Sequence, residues 1–117
     1  MAAMGIDQVF DAALRIHLLQ DRAVTLTFTR EDILVKFPTT RSLAEFLKVP
    51  HYYVLPYFGM MEQENLVTRA ERVGILTTPL GTSKYFDLMN RNYRAEAAEI
   101  LGENLLTEFI SRSSRKK

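Results

Sequence analysis

No cysteine occurs anywhere in the 117 residues, so a disulfide framework and thiolate metal sites are both excluded. Histidine is almost as scarce. His17 and His51 are too far apart in the chain to form a metal-spaced pair, so a zinc site is not expected. There is no glycine-rich phosphate loop and no base placed to activate a serine, so no catalytic role is expected. No apolar run approaches about 18 residues, which argues against a membrane span. The N-terminus lacks a basic stretch followed by an apolar core, so no secretory signal is expected. With no thiols to protect, a cytoplasmic location is the expectation. Neither sign of charge is in excess, and a net charge of +1 gives only weak support for a nucleic-acid partner.

What is present is an ordinary globular balance, 47% hydrophobic and 25% charged, over a length that suits one domain. The charge is unevenly distributed. Residues 95–110 carry Glu96, Glu99, Glu103 and Glu108 and no base. Residues 111–117 carry Arg112, Arg115, Lys116 and Lys117 and no acid, which reads as a solvated basic tail.

Ile6, Val9, Phe10, Ala13, Leu14 and His17 recur at three- and four-residue steps, predicting a helix over about 5–20. His17 falls on its apolar face, as a core histidine rather than a ligand. Val24, Leu26 and Phe28 alternate with threonines, predicting a short strand at 23–28. Thr29, followed by Glu31 and Asp32, predicts a capped helix through Phe37 that Pro38 stops. Thr40 or Ser42 opens the next helix, with Ser42 and Glu45 as a capping box. After the Val49-Pro50 turn, Val54, Phe58 and Met61 share one helical face, and Asn65 suits a left-handed C-terminal cap. Pro56 leaves two starts open for this helix: at Pro50 with a kink, or near Leu55 after an extended lead-in.

Leu66–Ala70 and Arg72–Thr77 are short β-rich runs, too close together for anything but a hairpin. Thr78-Pro79 caps a helix over about 79–91. A last helix is expected over 94–111, with Ala98, Leu101, Leu105 and Phe109 on one stripe and Ala97, Ile100 and Leu106 beside it. Two stripes exceed what closing one core needs, so the first is assigned to a homodimer contact. The fold class expected is mainly α with a small β-hairpin.

The stretch from Leu43 to Gly81 resembles the winged helix-turn-helix of bacterial and archaeal transcriptional regulators, of the broad MarR and PadR type. LAEFLKV looks like the second helix of such domains, with a small residue, Ala44, at the close approach. PHYYVLPYFGMMEQENLV looks like the recognition helix and its exit, and ILTTPLG like the second wing strand running into the next helix. The resemblance implies a winged-helix domain over 1–93, a C-terminal dimerisation helix over 94–111 and a basic flexible tail over 112–117. It implies double-stranded DNA as partner, with the helix near 50–64 in the major groove and the tip at 70–74 on the minor groove or backbone.

The DNA-contacting residues so implied are Arg41, Ser42, Lys48, His51, Tyr52, Tyr53, Arg69, Arg72 and Lys84. The outward face of that helix carries no Arg or Lys, so flanking bases would supply phosphate contacts and most of the affinity. That aromatic, uncharged face also motivates a second reading, a protein-interaction module on the same scaffold without direct DNA readout. No cofactor or metal is expected. A small-molecule effector is compatible with the family but not indicated by any polar cluster.

Overall fold

The computed structural model describes residues 5–114. Helix α1 spans Ile6–Arg15 and buries Val9, Phe10, Ala13 and Leu14, as its apolar spacing predicts. It then widens into a π-helical turn over Ile16–Asp21, which ends at Arg22 in the left-handed conformation. Ile16, His17 and Leu18 of this turn are all buried.

Strand β1 covers Leu26–Phe28, within the predicted stretch. The helix expected from Thr29 to Phe37 is not formed. The Thr29 hydroxyl does accept from Asp32 N (2.9 Å), but the Thr29 amide donates to Asp32 O (2.9 Å), so the cap closes a turn. The chain returns as strand β2, Ile33–Val35, antiparallel to β1 with Leu26 opposite Val35 and Phe28 opposite Ile33. Ile33 and Val35 are buried, and burial of these branched side chains outweighs the helical start signal.

Helix α2 is Thr40–Leu47. Its cap is Thr39, one residue ahead of the predicted start, and the Thr39 hydroxyl accepts from Ser42 N (3.0 Å). Of the two starts left open by Pro56, the one near Leu55 is observed, but the lead-in expected to be extended is helical instead. His51–Tyr53 form a single 3₁₀ turn, and α3 runs Leu55–Gln63. Pro56 then lies in the first turn, where its missing N–H has no helical partner to lose. Asn65 takes the expected left-handed cap at φ 62°, and Leu66 N bonds Met61 O (2.8 Å).

Strands β3 (Val67–Ala70) and β4 (Gly74–Thr77) form the predicted hairpin, with Val67 opposite Thr77. Helix α4 is Pro79–Asn92, capped by Thr78, whose hydroxyl accepts from Gly81 N (3.1 Å). Gly81 is required by a close approach: a Cβ there would lie 1.8 Å from the Leu66 carbonyl oxygen. The end of α3 and the start of α4 are thus pressed together at the root of the β3–β4 hairpin.

The single helix expected over 94–111 is two. α5 covers Arg94–Leu101, Gly102 breaks the chain at φ 86°, and α6 covers Glu103–Ser114. Arg94 of α5 pairs with Glu103 across the break. The break lets α6 fold back so that Leu106 and Phe109 are buried, Phe109 with its ring 5.8 Å from that of Phe86. The flexible tail expected over 112–117 does not begin at residue 112. Arg112 lies on α6 beside Glu31 and Asp32, while Arg115, Lys116 and Lys117 lie outside the described residues.

The core is aromatic at its centre. Phe37 packs edge-on against Phe10 (5.1 Å) and Phe58 (5.9 Å), and Tyr85 against Phe86 (5.5 Å). The two hairpins meet at one bridge, Lys36 opposite Leu76, reinforced by Phe37 N to Ile75 O (2.8 Å) and Val35 N to the Thr77 hydroxyl (2.8 Å). The architecture is therefore mainly helical with small antiparallel hairpins. Among the described residues no helix is long and apolar enough to cross a membrane.

Candidate functional site

The residues singled out by sequence fall into three groups. The first surrounds the turn between α2 and α3. Arg41 and Ser42, in the first turn of α2, are exposed, as is Lys48 at its C-terminal end, where the backbone is left-handed at φ 60°. His51 is also exposed, and its Nε2 lies 2.6 Å from the Thr40 hydroxyl, which ties the 3₁₀ turn to the start of α2. Tyr52 and Tyr53 project from that turn at 68% and 51% exposure, too open for core residues, with their rings 5.1 Å apart and edge-on. Tyr57, one turn further on, is half-buried. The cluster of three tyrosines is thus divided between surface and core.

The second group lies on the β3–β4 hairpin. Arg69 is exposed and pairs with Glu62 of α3 (3.2 Å), which fixes the strand against the end of that helix. Arg72 occupies the tip at φ 68°, an unfavourable backbone for a residue with a Cβ, and points to solvent. Lys84 does not join either group. It pairs with Asp7 of α1 and sits 5.8 Å over the Phe10 ring, so part of its charge is neutralised locally.

The third group is the proposed dimer stripe, and the break at Gly102 scatters it. Ala98 and Leu101 are half-buried on α5, Phe109 is buried in the core, and Leu105 stands out at 48% exposure. Phe109 also meets Phe28 of β1, ring to ring at 6.1 Å. Phe28 itself is 60% exposed, and sequence reading had assigned it no role beyond its strand. The signal was in the sequence: a phenylalanine in an uncharged, threonine-rich run.

One buried and one partly buried polar cluster complete the chemistry. His17 Nδ1 lies 2.6 Å from the Tyr85 hydroxyl in the core. Burial pushes the imidazole down to about 4, against a smaller opposing effect from Asp21, so the ring is neutral at neutral pH. Burial likewise pushes the Tyr85 hydroxyl far above its usual range. In the last turns of α1, the Tyr93 hydroxyl donates to Asp11 (2.6 Å) and accepts from Arg15 Nε (2.8 Å), clipping α1 to the α4–α5 junction. Among the described residues no group of three or more His, Asp or Glu comes together to hold a metal.

The exposed groups around the α2–α3 turn and on the β3–β4 hairpin offer positive charges and aromatic rings with hydroxyls. Comparison with known protein families, curated proteins and solved structures finds no match.

Proposed function

We propose that this chain is a sequence-specific, double-stranded-DNA-binding regulator of transcription, built as a winged helix-turn-helix and acting as a cytoplasmic homodimer. In this reading the His51–Tyr53 turn and α3 enter the major groove, and the β3–β4 hairpin reaches the minor groove or backbone. The observation that carries the reading is the way α3 and the hairpin are joined. Glu62 near the end of α3 pairs with Arg69 of β3, Gly81 packs against Leu66 at the hairpin's root, and Arg72 is left open at its tip. The order α2, turn, α3, β3–β4, with Lys36 bridged to β4, supports it further.

The charge distribution sets how such binding would work. Leu55–Gln63 contains no Arg or Lys, so direct guanine readout from α3 is not available. Tyr52 and Tyr53 would supply hydroxyls and ring faces to bases, and Arg41, Lys48 and Arg72 would hold phosphates, with Arg69 adding its charge only by sharing its guanidinium between Glu62 and a phosphate. Selection of bound sites from random DNA should return an enriched palindrome, and affinity should fall with salt with a log–log slope near −0.9 per phosphate held. Replacing Arg69 and Arg72 together by Ala should weaken binding to all sequences and flatten that slope by about 1 to 2. No enriched sequence, or no salt dependence, would remove the proposal.

A second reading is favoured by one specific observation, the exposure of Tyr52 and Tyr53 on a surface that carries no base on α3. Such a patch also suits a protein partner. The two readings separate at low salt, where a DNA reader binds any duplex and an interaction module does not.

A further inference from the structure

We propose that two copies of this chain join through β1, by antiparallel edge-to-edge pairing centred on Thr27. The inference deepens the homodimer in the reading above and does not depend on DNA. It begins with the direction of backbone groups. The Thr25 carbonyl accepts from Lys36 N (2.9 Å), and the Thr29 amide donates to Asp32 O (2.9 Å), so both residues face β2. In an antiparallel ladder alternate residues face opposite ways. Leu26 and Phe28 therefore turn their N–H and C=O groups to the other edge. Among the described residues β2 is the only strand paired with β1, so that edge has no strand on it.

Proteins that stay monomeric guard such an edge with charge, proline or a bulge, or keep the strand very short; β1, at three residues, has only its shortness to limit pairing. Residues 23–29, AVTLTFT, contain no charge and no proline. The opposite outer strand, β3, does carry a guard in Arg69. Apolar surface adjoins the β1 edge. Phe28 is 60% exposed against Phe109, and Leu105, one turn earlier on α6, is 48% exposed.

Self-complementarity argues for a second copy as the occupant. With Thr27 on the two-fold axis, Leu26 of one copy lies opposite Phe28 of the other. These are the residues whose backbone groups face outward, so each pair exchanges both of its hydrogen bonds. Each Phe28 ring comes beside a leucine instead of water, and the two Thr27 side chains meet at the close, non-hydrogen-bonded position. A net charge of +1 offers no appreciable repulsion between copies.

Analytical ultracentrifugation of the full chain over roughly 1–200 μM tests this, since micromolar association falls within that window. The unmodified protein should sediment as a dimer at the upper end. Thr27 is exposed, so Thr27→Lys and Thr27→Glu should fold normally by circular dichroism. Each alone should raise the dimer dissociation constant at least about tenfold, because like charges meet at the axis. Mixed in equal amounts, they should restore a heterodimer. A monomer throughout the range, charged variants that dimerise unchanged, or a mixture that fails to associate would each overturn the proposal. Binding of the same variants to a single DNA half-site is a separate readout: its loss in a folded Thr27→Lys monomer would count against the DNA reading, not against the strand edge.

Discussion

The two hairpins have the same topology and charged tips, residues 30–32 in one and 71–72 in the other, but different outer edges. The β1–β2 pair presents a neutral, threonine-lined edge and buries its returning strand through Ile33 and Val35. The β3–β4 pair carries Arg69 on its outer strand and Glu71 and Arg72 at its tip, and is held at its root by Gly81 against Leu66. One is suited to meeting another strand and the other to meeting something charged. A hairpin's role is thus set less by its pairing than by what lies on the edge it leaves free.

The strongest test of this contrast lies at the root of the second hairpin. Gly81→Ala would force a methyl into the Leu66 carbonyl, and should cost about 3 kcal/mol or more in urea-induced unfolding. A variant with unchanged stability would mean that the hairpin is not pinned there. The next test asks whether both hairpins stand on one core. His17 is neutral in the folded chain with a pKa of about 4, below its unfolded value of 6.5. Above pH 6.5 the group contributes no pH dependence. As pH falls from 6.5 towards 4 the unfolded chain takes up a proton that the folded chain resists, and stability falls. The loss between pH 7 and pH 5 should be about 2 kcal/mol, with the signals of both hairpins disappearing together. If one hairpin melts first, they do not share a foundation.

Smaller effects sharpen the comparison. Val35→Ala removes fully buried volume beneath the first hairpin and should cost about 2 kcal/mol, whereas Val73→Ala at the exposed tip of the second should change stability by less than about 0.5 kcal/mol. The smallest expected effect is a gain. Arg72→Gly relieves a left-handed backbone and should stabilise by about 0.5–1 kcal/mol, while removing a charge that DNA would need. Thermal melting measures the first consequence and a binding titration the second.

How far the sequence could be read follows from which signals are local. The apolar spacing of α1, the Asn65 cap, the Thr78-Pro79 start and the β3–β4 hairpin are local signals, and all four were legible. The first hairpin was missed because a Thr followed by acidic residues signals a turn as readily as a helix start, and only the burial of Ile33 and Val35 decides between them. The break at Gly102 was missed because the apolar repeat runs through it: Ala98, Leu101, Leu105 and Phe109 keep helical spacing although the backbone does not. Lys84 was expected among the DNA contacts, and its pairing with Asp7 was not legible because that partner lies far away in sequence. The exposed residues of the candidate site were named through the resemblance, and the His51–Thr40 contact and the Glu62–Arg69 pair that position them were not legible.

Gly102 also controls where the last helix can pack. Its backbone, at φ 86° and ψ 148°, is one that glycine alone adopts readily. Gly102→Ala would favour a straight rod from Arg94 to Ser114, about 30 Å long at 1.5 Å per residue. Leu106 and Phe109 would then leave their own core and could be sheltered by α4 of a neighbouring molecule, an exchange of identical parts. Such a variant should form dimers that persist on dilution, as size-exclusion chromatography would show, so one small residue decides whether the molecule completes itself or borrows from its neighbour.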